Sequence, residues 1–195
     1  MAAVSAPYGL LPVNLIGGQV FAGSTRQIPI ATNSSTAIFY GDVVKLSSGY
    51  LLRDVATTTA TPVGVFLGCS YTDPTFGKTF RQYYPGTTNI TDVVAYVADD
   101  PDQLFKTAIV TAYNTTTIGY VTRAAVGTNA VLAQNTGSTI TGNSAVAIDD
   151  TTATTTTWPI RIIDIVPETA IAGYPASYTE VIVKWNGTQH AYLTP

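Results

Sequence analysis

The sequence predicts an all-β protein: a compact β-barrel or sandwich of short antiparallel strands with an extended N-terminal arm. A second small β-lobe in the C-terminal half remains an open alternative. Three observations predict this class. Thr supplies 33 of the 195 residues whereas Glu supplies two, and β-branched side chains suit a pleated surface while Glu and Lys favour helices. Sixteen Gly and eleven Pro punctuate the chain, as short strands joined by turns require. The apolar runs are brief and close together, about a dozen in all, with no fixed-period repeat.

Residues 1–18 (MAAVSAPYGLLPVNLIGG) have no clean period. Pro7 and Pro12 keep the segment extended, and Tyr8, Leu10, Leu11, Val13, Leu15 and Ile16 make it too apolar to hang in water. Two placements fit equally: folded onto the domain's own core, or laid on a neighbouring subunit. These six residues are the candidate interface.

Residues 19–113 form the expected β-rich body. Strands are predicted at Arg26–Ile30, Thr36–Tyr40, Val43–Leu46 and Tyr50–Arg53, the last two joined by a tight Ser-Gly turn. Pro62–Tyr71 is an apolar run in which Gly64 and Gly68 signal a bulge or a close crossing. Thr79–Tyr84 and Asp92–Ala98 follow. At Asp99–Gln103, Asp100 can cap, Pro101 suits a first turn and Gln103 completes a capping-box spacing. Leu104–Thr111 then reads as strand, so a single turn before a strand is expected. Residues 114–195 form the second β-rich half, packed into the same domain or separate from it. Strands are expected at Ile118–Val126, Ala145–Ile148, Trp158–Val166, Tyr178–Trp185 and His190–Leu193. Asp149–Thr157 is expected as a loop, and Asn186-Gly187 is the strongest hairpin-turn signal in the chain.

Composition excludes several functions. Twelve acidic residues against nine basic ones give a net charge of −3, and only 11% of residues are charged, against roughly 25% in an average domain. The Lys and Arg residues are scattered singly, without the clustered positive footprint that phosphate-driven nucleic-acid binding needs. No run reaches the ~18 apolar residues of a spanning helix, so no membrane partner is expected. The first basic residue is Arg26, so no secretory leader is expected. The single Cys69 makes no internal disulfide, and a cytosolic site of synthesis is the simplest reading.

Catalytic patterns are sparse, and no enzyme activity and no cofactor are expected. His190 is the sole imidazole, and no G-x-S-x-G elbow accompanies it. Cys69 sits in an apolar strand without the cationic neighbours that make a thiolate. The acidic clusters Asp99-Asp100-Asp102 and Asp149-Asp150 fall where Asp serves local turn bonding, and neither has the spaced ligands of a calcium loop. Sequons at Asn33, Asn89, Asn114 and Asn186 are common by chance in a Thr-rich chain.

Several blocks resemble structural proteins of tailed-bacteriophage virions: Pro7–Val13, Phe39–Leu46, Pro62–Gly68, Tyr96–Asp102, Ile140–Ser144 and Val181–Asn186 with His190. The likeness spans most of the chain and points most closely to head decoration (cement) proteins. It implies a β-body on the outer head surface that bridges neighbouring major capsid protein subunits. It also implies a homo-oligomer or lattice neighbours, and permits trimers at local threefold positions. A receptor- or glycan-binding virion module, such as a head-fibre base or tail adhesin, is the second class. Tyr71, Tyr83, Tyr84, Tyr174 and Tyr178 would carry its recognition.

Overall fold

In the computed structural model, residues 6–87, 90–169 and 179–193 are described. Twelve strands occur among them: β1 (Leu11–Leu15), β2 (Arg26–Pro29), β3 (Val43–Ser47), β4 (Tyr50–Arg53), β5 (Gly64–Asp73), β6 (Gly77–Arg81), β7 (Val94–Ala98), β8 (Gln103–Val110), β9 (Asn129–Asn135), β10 (Ala145–Ala153), β11 (Ile160–Ile165) and β12 (Glu180–Trp185). The all-β class is as the sequence predicts. The only helical element described is one 3-10 turn, Arg123–Ala125, and no described helix is long and apolar enough to cross a membrane.

The strands form two sheets. One runs β2-β7-β5-β3-β4, with β6 added to β5. A bridge between Ile30 and Leu51 draws its outer strands β2 and β4 together. The other runs β1-β8-β10-β9-β11-β12 and closes on itself because β12 also pairs with β8, from Glu180 opposite Ala108 to Lys184 opposite Leu104. The closed ring is therefore a five-stranded barrel, β8-β10-β9-β11-β12. Its β8–β10 pair is parallel, with Ile148 beside Ile109, an exception to the expected antiparallel pairing. β1 lies antiparallel to β8, with Leu11 opposite Lys106. The sheets change over at Asp99–Asp102, so β8 belongs with the C-terminal strands and residue 114 divides nothing in the sheet plan.

The apolar pairs explain how the sheets stack. Side chains alternate across a strand. Val43, Val65 and Ala98 enter a core shared with Leu10, Phe105, Ile109, Leu132 and Trp185. Their neighbours Val44, Phe66 and Val97 enter a second core with Ile28, Cys69, Tyr71 and Tyr84. The wall β3-β5-β7 is thus buried on both faces, which is why these strands read as unbroken apolar runs rather than alternating ones.

Local turn chemistry works as expected at Ser48 and Gly49. Both have positive φ (50° and 82°), the conformation of a type I′ hairpin turn. The pairing of β5 with β7 shifts register between Phe66 and Cys69, around Gly68, in line with the bulge that glycine signals. Gln103 N–H, at the first residue of β8, donates to Asp100 O at 3.1 Å, giving the single turn followed by strand.

Several expectations fail. Thr36–Tyr40 is not a strand: Ile38 and Tyr40 make single bridges to Tyr84 and Asn143. Ile118–Val126 is not a strand: Ile118 makes one bridge to Val110 and the 3-10 turn follows. Asp149–Thr157 is not wholly loop, because β10 continues to Ala153, its Thr side chains suiting the strand. Asn186-Gly187 closes no hairpin, and residues 190–193 are turns. Asn186 instead directs its side-chain amide to Thr156 O (2.8 Å) and Trp158 O (2.9 Å), tying the end of β12 to the loop before β11. Gly187 does not use the left-handed region, and an added Cβ would meet only Leu193 Cδ1 at 3.8 Å. Gly187→Ala is therefore expected to leave stability unchanged or raise it by about 0.4–1 kcal/mol. Urea unfolding checks this, and a loss of stability would show that the turn needs glycine.

Candidate functional site

Residues 6–18 of the N-terminal arm are part of the body; residues 1–5 lie outside the described residues. Gly9 N–H donates to Val146 O and Leu10 N–H to Gly41 O, both at 3.0 Å, and Leu10 is fully buried in the shared core. Ile16 N–H donates to Asp102 O at 3.0 Å. The Gln103 amide reaches Val13 O (3.3 Å) and Asn14 O (3.4 Å). Of the six candidate interface residues, Leu10 is closed to any partner, Tyr8, Leu11, Val13 and Leu15 are half-buried, and Ile16 is exposed. Residues 6–18 thus lie against the chain's own strands, with Ile16 left exposed.

Tyr8 anchors a polar cluster. Its hydroxyl donates to Glu180 Oε1 at 2.7 Å. Lys106 Nζ lies 3.3 Å from Glu180 Oε2 and 5.6 Å from the Tyr8 ring centroid. Burial first, then the hydrogen bond and charge of Glu180, push the Tyr8 phenol far above its ordinary value. These groups border a cleft of about 490 Å³ with Leu11, Tyr40 and Asn143. A phenol that holds its proton so tightly serves as a hydrogen-bond donor, not as a base.

A second junction joins the sheets. Asp42 Oδ2 accepts Phe39 N–H at 2.9 Å and lies 3.2 Å from Arg53 Nε. Asp42 Oδ1 accepts the Ser144 hydroxyl, and Arg53 Nη2 donates to Asn135 O at 2.6 Å. The Asp42 and Arg53 side chains are 0% and 10% exposed.

The residues with chemical potential are tied into the fold. Cys69 is buried, its Sγ 3.7 Å from Tyr83 O, and burial pushes its thiol up to about 12 against the opposing effect of Arg81. Asp99 pairs with Arg26 at 2.7 Å and accepts the Tyr192 hydroxyl at 2.8 Å. Asp100 accepts Asp102 N–H (2.8 Å), Asp102 pairs with Lys184, and Asp149 accepts Thr151 N–H (2.7 Å). Burial, then Asp149, raise the Asp150 carboxyl. Among the described residues no three metal-capable side chains gather.

His190, expected to open a strand, lies in the turn region after β12 and is fully buried. Its Nδ1 accepts Tyr192 N–H at 3.2 Å. Desolvation lowers its pKa from 6.5, opposed by a hydrogen bond with the Val63 backbone and by Asp99 and Asp100. The unfolded chain therefore takes up a proton that the fold resists. This contribution to stability is complete above pH 6.5 and is lost as pH falls below it. Urea midpoints measured from pH 7 to 5 should fall, and His190→Gln should flatten that slope. An unchanged slope would remove the imidazole as its source.

Two of the tyrosines proposed for recognition are closed to a ligand. Tyr71 and Tyr84 are 1% and 0% exposed. Tyr83 stacks on Phe39, ring centroids 5.6 Å apart. Tyr174 and Tyr178 lie outside the described residues.

Sequence reasoning missed the most exposed apolar side chains. Ile140 is 95% exposed, Phe76 77%, Val20 75% and Phe80 64%. Ile140 lies in the Ser138–Gly142 turn, where Gly142 N–H donates to Ser138 O at 2.8 Å. Phe76 caps the β5–β6 turn, its N–H donating to Asp73 Oδ1 at 3.2 Å. The available signal was a large apolar residue inside turn chemistry, as in Asp73-Pro74-Thr75-Phe76-Gly77. Comparison with protein families, curated proteins and solved structures finds no match in any of the three.

Proposed function

We propose that this chain is an architectural protein of a tailed-phage virion. It binds the outer head surface and bridges neighbouring major capsid protein subunits, beside further copies of itself. The observation that carries the reading is the exposure of two large apolar side chains on different segments of a doubly cored β-body: Val20, bridged to Asn14 in β1, is 75% exposed, and Ile140, in the Ser138–Gly142 turn, is 95% exposed. A bridge needs two sticking points on a rigid spacer, and large apolar side chains standing in water mark contact sites. The sparse charge, 11% of residues, suits surface that ends against protein. Each bridge binds only the assembled shell and so raises its stability by mass action, while tethered neighbours multiply weak contacts.

The test is to add the purified chain to heads lacking it and measure occupancy and heat resistance. Val20→Asp and Ile140→Asp should each reduce occupancy about tenfold, the effect of losing about 1.4 kcal/mol, without changing the melting curve of the free protein. Normal decoration by the double variant would reject this surface, and failure of the wild-type chain to bind heads would reject the role. Removing residues 2–16 cannot serve as this test, because it takes Leu10 from the core and β1 from β8.

A further inference from the structure

β6 pairs with β5 alone, leaving its other edge without a strand among the described residues. The direction of its backbone groups follows from β5. Thr72 N–H donates to Asp92 Oδ1 at 2.9 Å, on the side of β5 that carries β7, so Thr72 and its opposite residue Lys78 exchange no hydrogen bonds. Bonded and non-bonded pairs alternate along an antiparallel ladder. Lys78 and Phe80 therefore point N–H and C=O away from the sheet, into the open edge. Their side chains are exposed too: Lys78 by 64%, with Asp92 at 3.7 Å, and Phe80 by 64%, leaning on Tyr96 with ring centroids 5.6 Å apart.

We infer that this edge pairs with the same edge of a second copy, antiparallel about a twofold axis through Thr79. The strand Gly77-Lys78-Thr79-Phe80-Arg81 is complementary to itself in that register. Lys78 of each copy falls opposite Phe80 of the other, and both have their backbone groups aimed across the gap, giving four main-chain hydrogen bonds. The ammonium then faces an aromatic side chain, a favourable cross-strand pair, and Arg81 falls opposite Gly77. A slip that keeps the hydrogen-bond phase sets either Lys78 against Lys78, which repels, or Phe80 against Phe80, and each such slip breaks both Lys–Phe contacts and keeps only two of the four main-chain bonds within Gly77–Arg81. The self-complementary register thus keeps the most backbone bonds together with both Lys–Phe pairs. The pairing concerns the free chain and does not depend on what the chain decorates.

Thr79→Cys tests the axis. In a non-bonded pair the two Cα atoms would stand about 4.5 Å apart, within disulfide reach, and buried Cys69 does not compete. Mild oxidation with diamide should give a disulfide-linked dimer. Lys78→Cys should give far less, because its Cα atoms would be about 8–9 Å apart. Lys78→Pro removes an outward donor but no bond to β5, and should weaken dimerisation in sedimentation equilibrium at least tenfold with an unchanged far-ultraviolet spectrum. Should Lys78→Pro misfold, Phe80→Lys, which sets like charges across the axis, should weaken it similarly. A wild-type chain that stays monomeric at every concentration overturns the inference. So does a dimer that survives these edge variants, or one in which the Thr79→Cys variant crosslinks no faster than the Lys78→Cys variant.

Discussion

Asp42→Ala should lower the unfolding free energy by about 3–5 kcal/mol, the usual result of stripping one partner from a buried ion pair. The reason is what remains. Arg53, with 10% of its side chain exposed, keeps its bond to Asn135 O but loses the carboxylate 3.2 Å from Nε. Phe39 N–H and the Ser144 hydroxyl lose their acceptor as well. Asp42→Asn, which keeps an oxygen for Phe39, should lose less. Burial raises the Asp42 pKa from 3.8, against the lowering effects of Arg53, Phe39 N–H and Ser144. The fold therefore holds this proton more tightly than the unfolded chain does. Its contribution to stability is greatest below pH 3.8 and declines as pH rises through the folded value. Urea midpoints at constant m report both effects. A loss under 1 kcal/mol for Asp42→Ala would show that Arg53 finds another partner.

Gly9→Ala should cost about 2–6 kcal/mol, from two sources that add at one atom. Gly9 has φ +88°, where an L side chain is strained by roughly 1–3 kcal/mol. An added Cβ would also stand 2.8 Å from Gly41 O and from Ser144 Cβ, and overpacking typically adds about 1–3 kcal/mol. Gly41 cannot retreat easily, since its N–H donates to Phe66 O at 2.8 Å. Ser144 belongs to the Asp42 network, so the double variant Gly9→Ala/Asp42→Ala should lose less than the sum of the two. Strict additivity would separate the arm from the junction.

What the sequence revealed was local. The Ser48-Gly49 turn, β4 at Tyr50–Arg53 and the bulge at Gly68 each depend on a few adjacent residues whose conformations are restricted. What it concealed was pairing across the chain. Nothing near Phe105 announces that Pro12 and Val183 will flank it, and Asn129–Asn135, with its short apolar centre, becomes a strand by lying between β10 and β11. Asn186-Gly187 misled because the amide found acceptors in a remote loop. The candidate interface was half legible. The arm's apolarity was plain, but Leu10 reads the same whether it seals a core or meets a partner, and the closeness of Gly9 to Gly41 decides that. Phe80 was invisible because an exposed edge is a property of what fails to pair.

The two sheets impose different timetables on synthesis. All six strands of the β2–β7 sheet are in hand once residue 98 has emerged, but the ring around β8 waits for β12, which ends at Trp185. At about 5–20 residues per second that interval is roughly 4–17 s. Throughout it, the outer faces of Val43, Val65 and Ala98 have no barrel to cover them. Nascent chains halted in this window would present that bare wall to chaperones, or to one another on a crowded polysome.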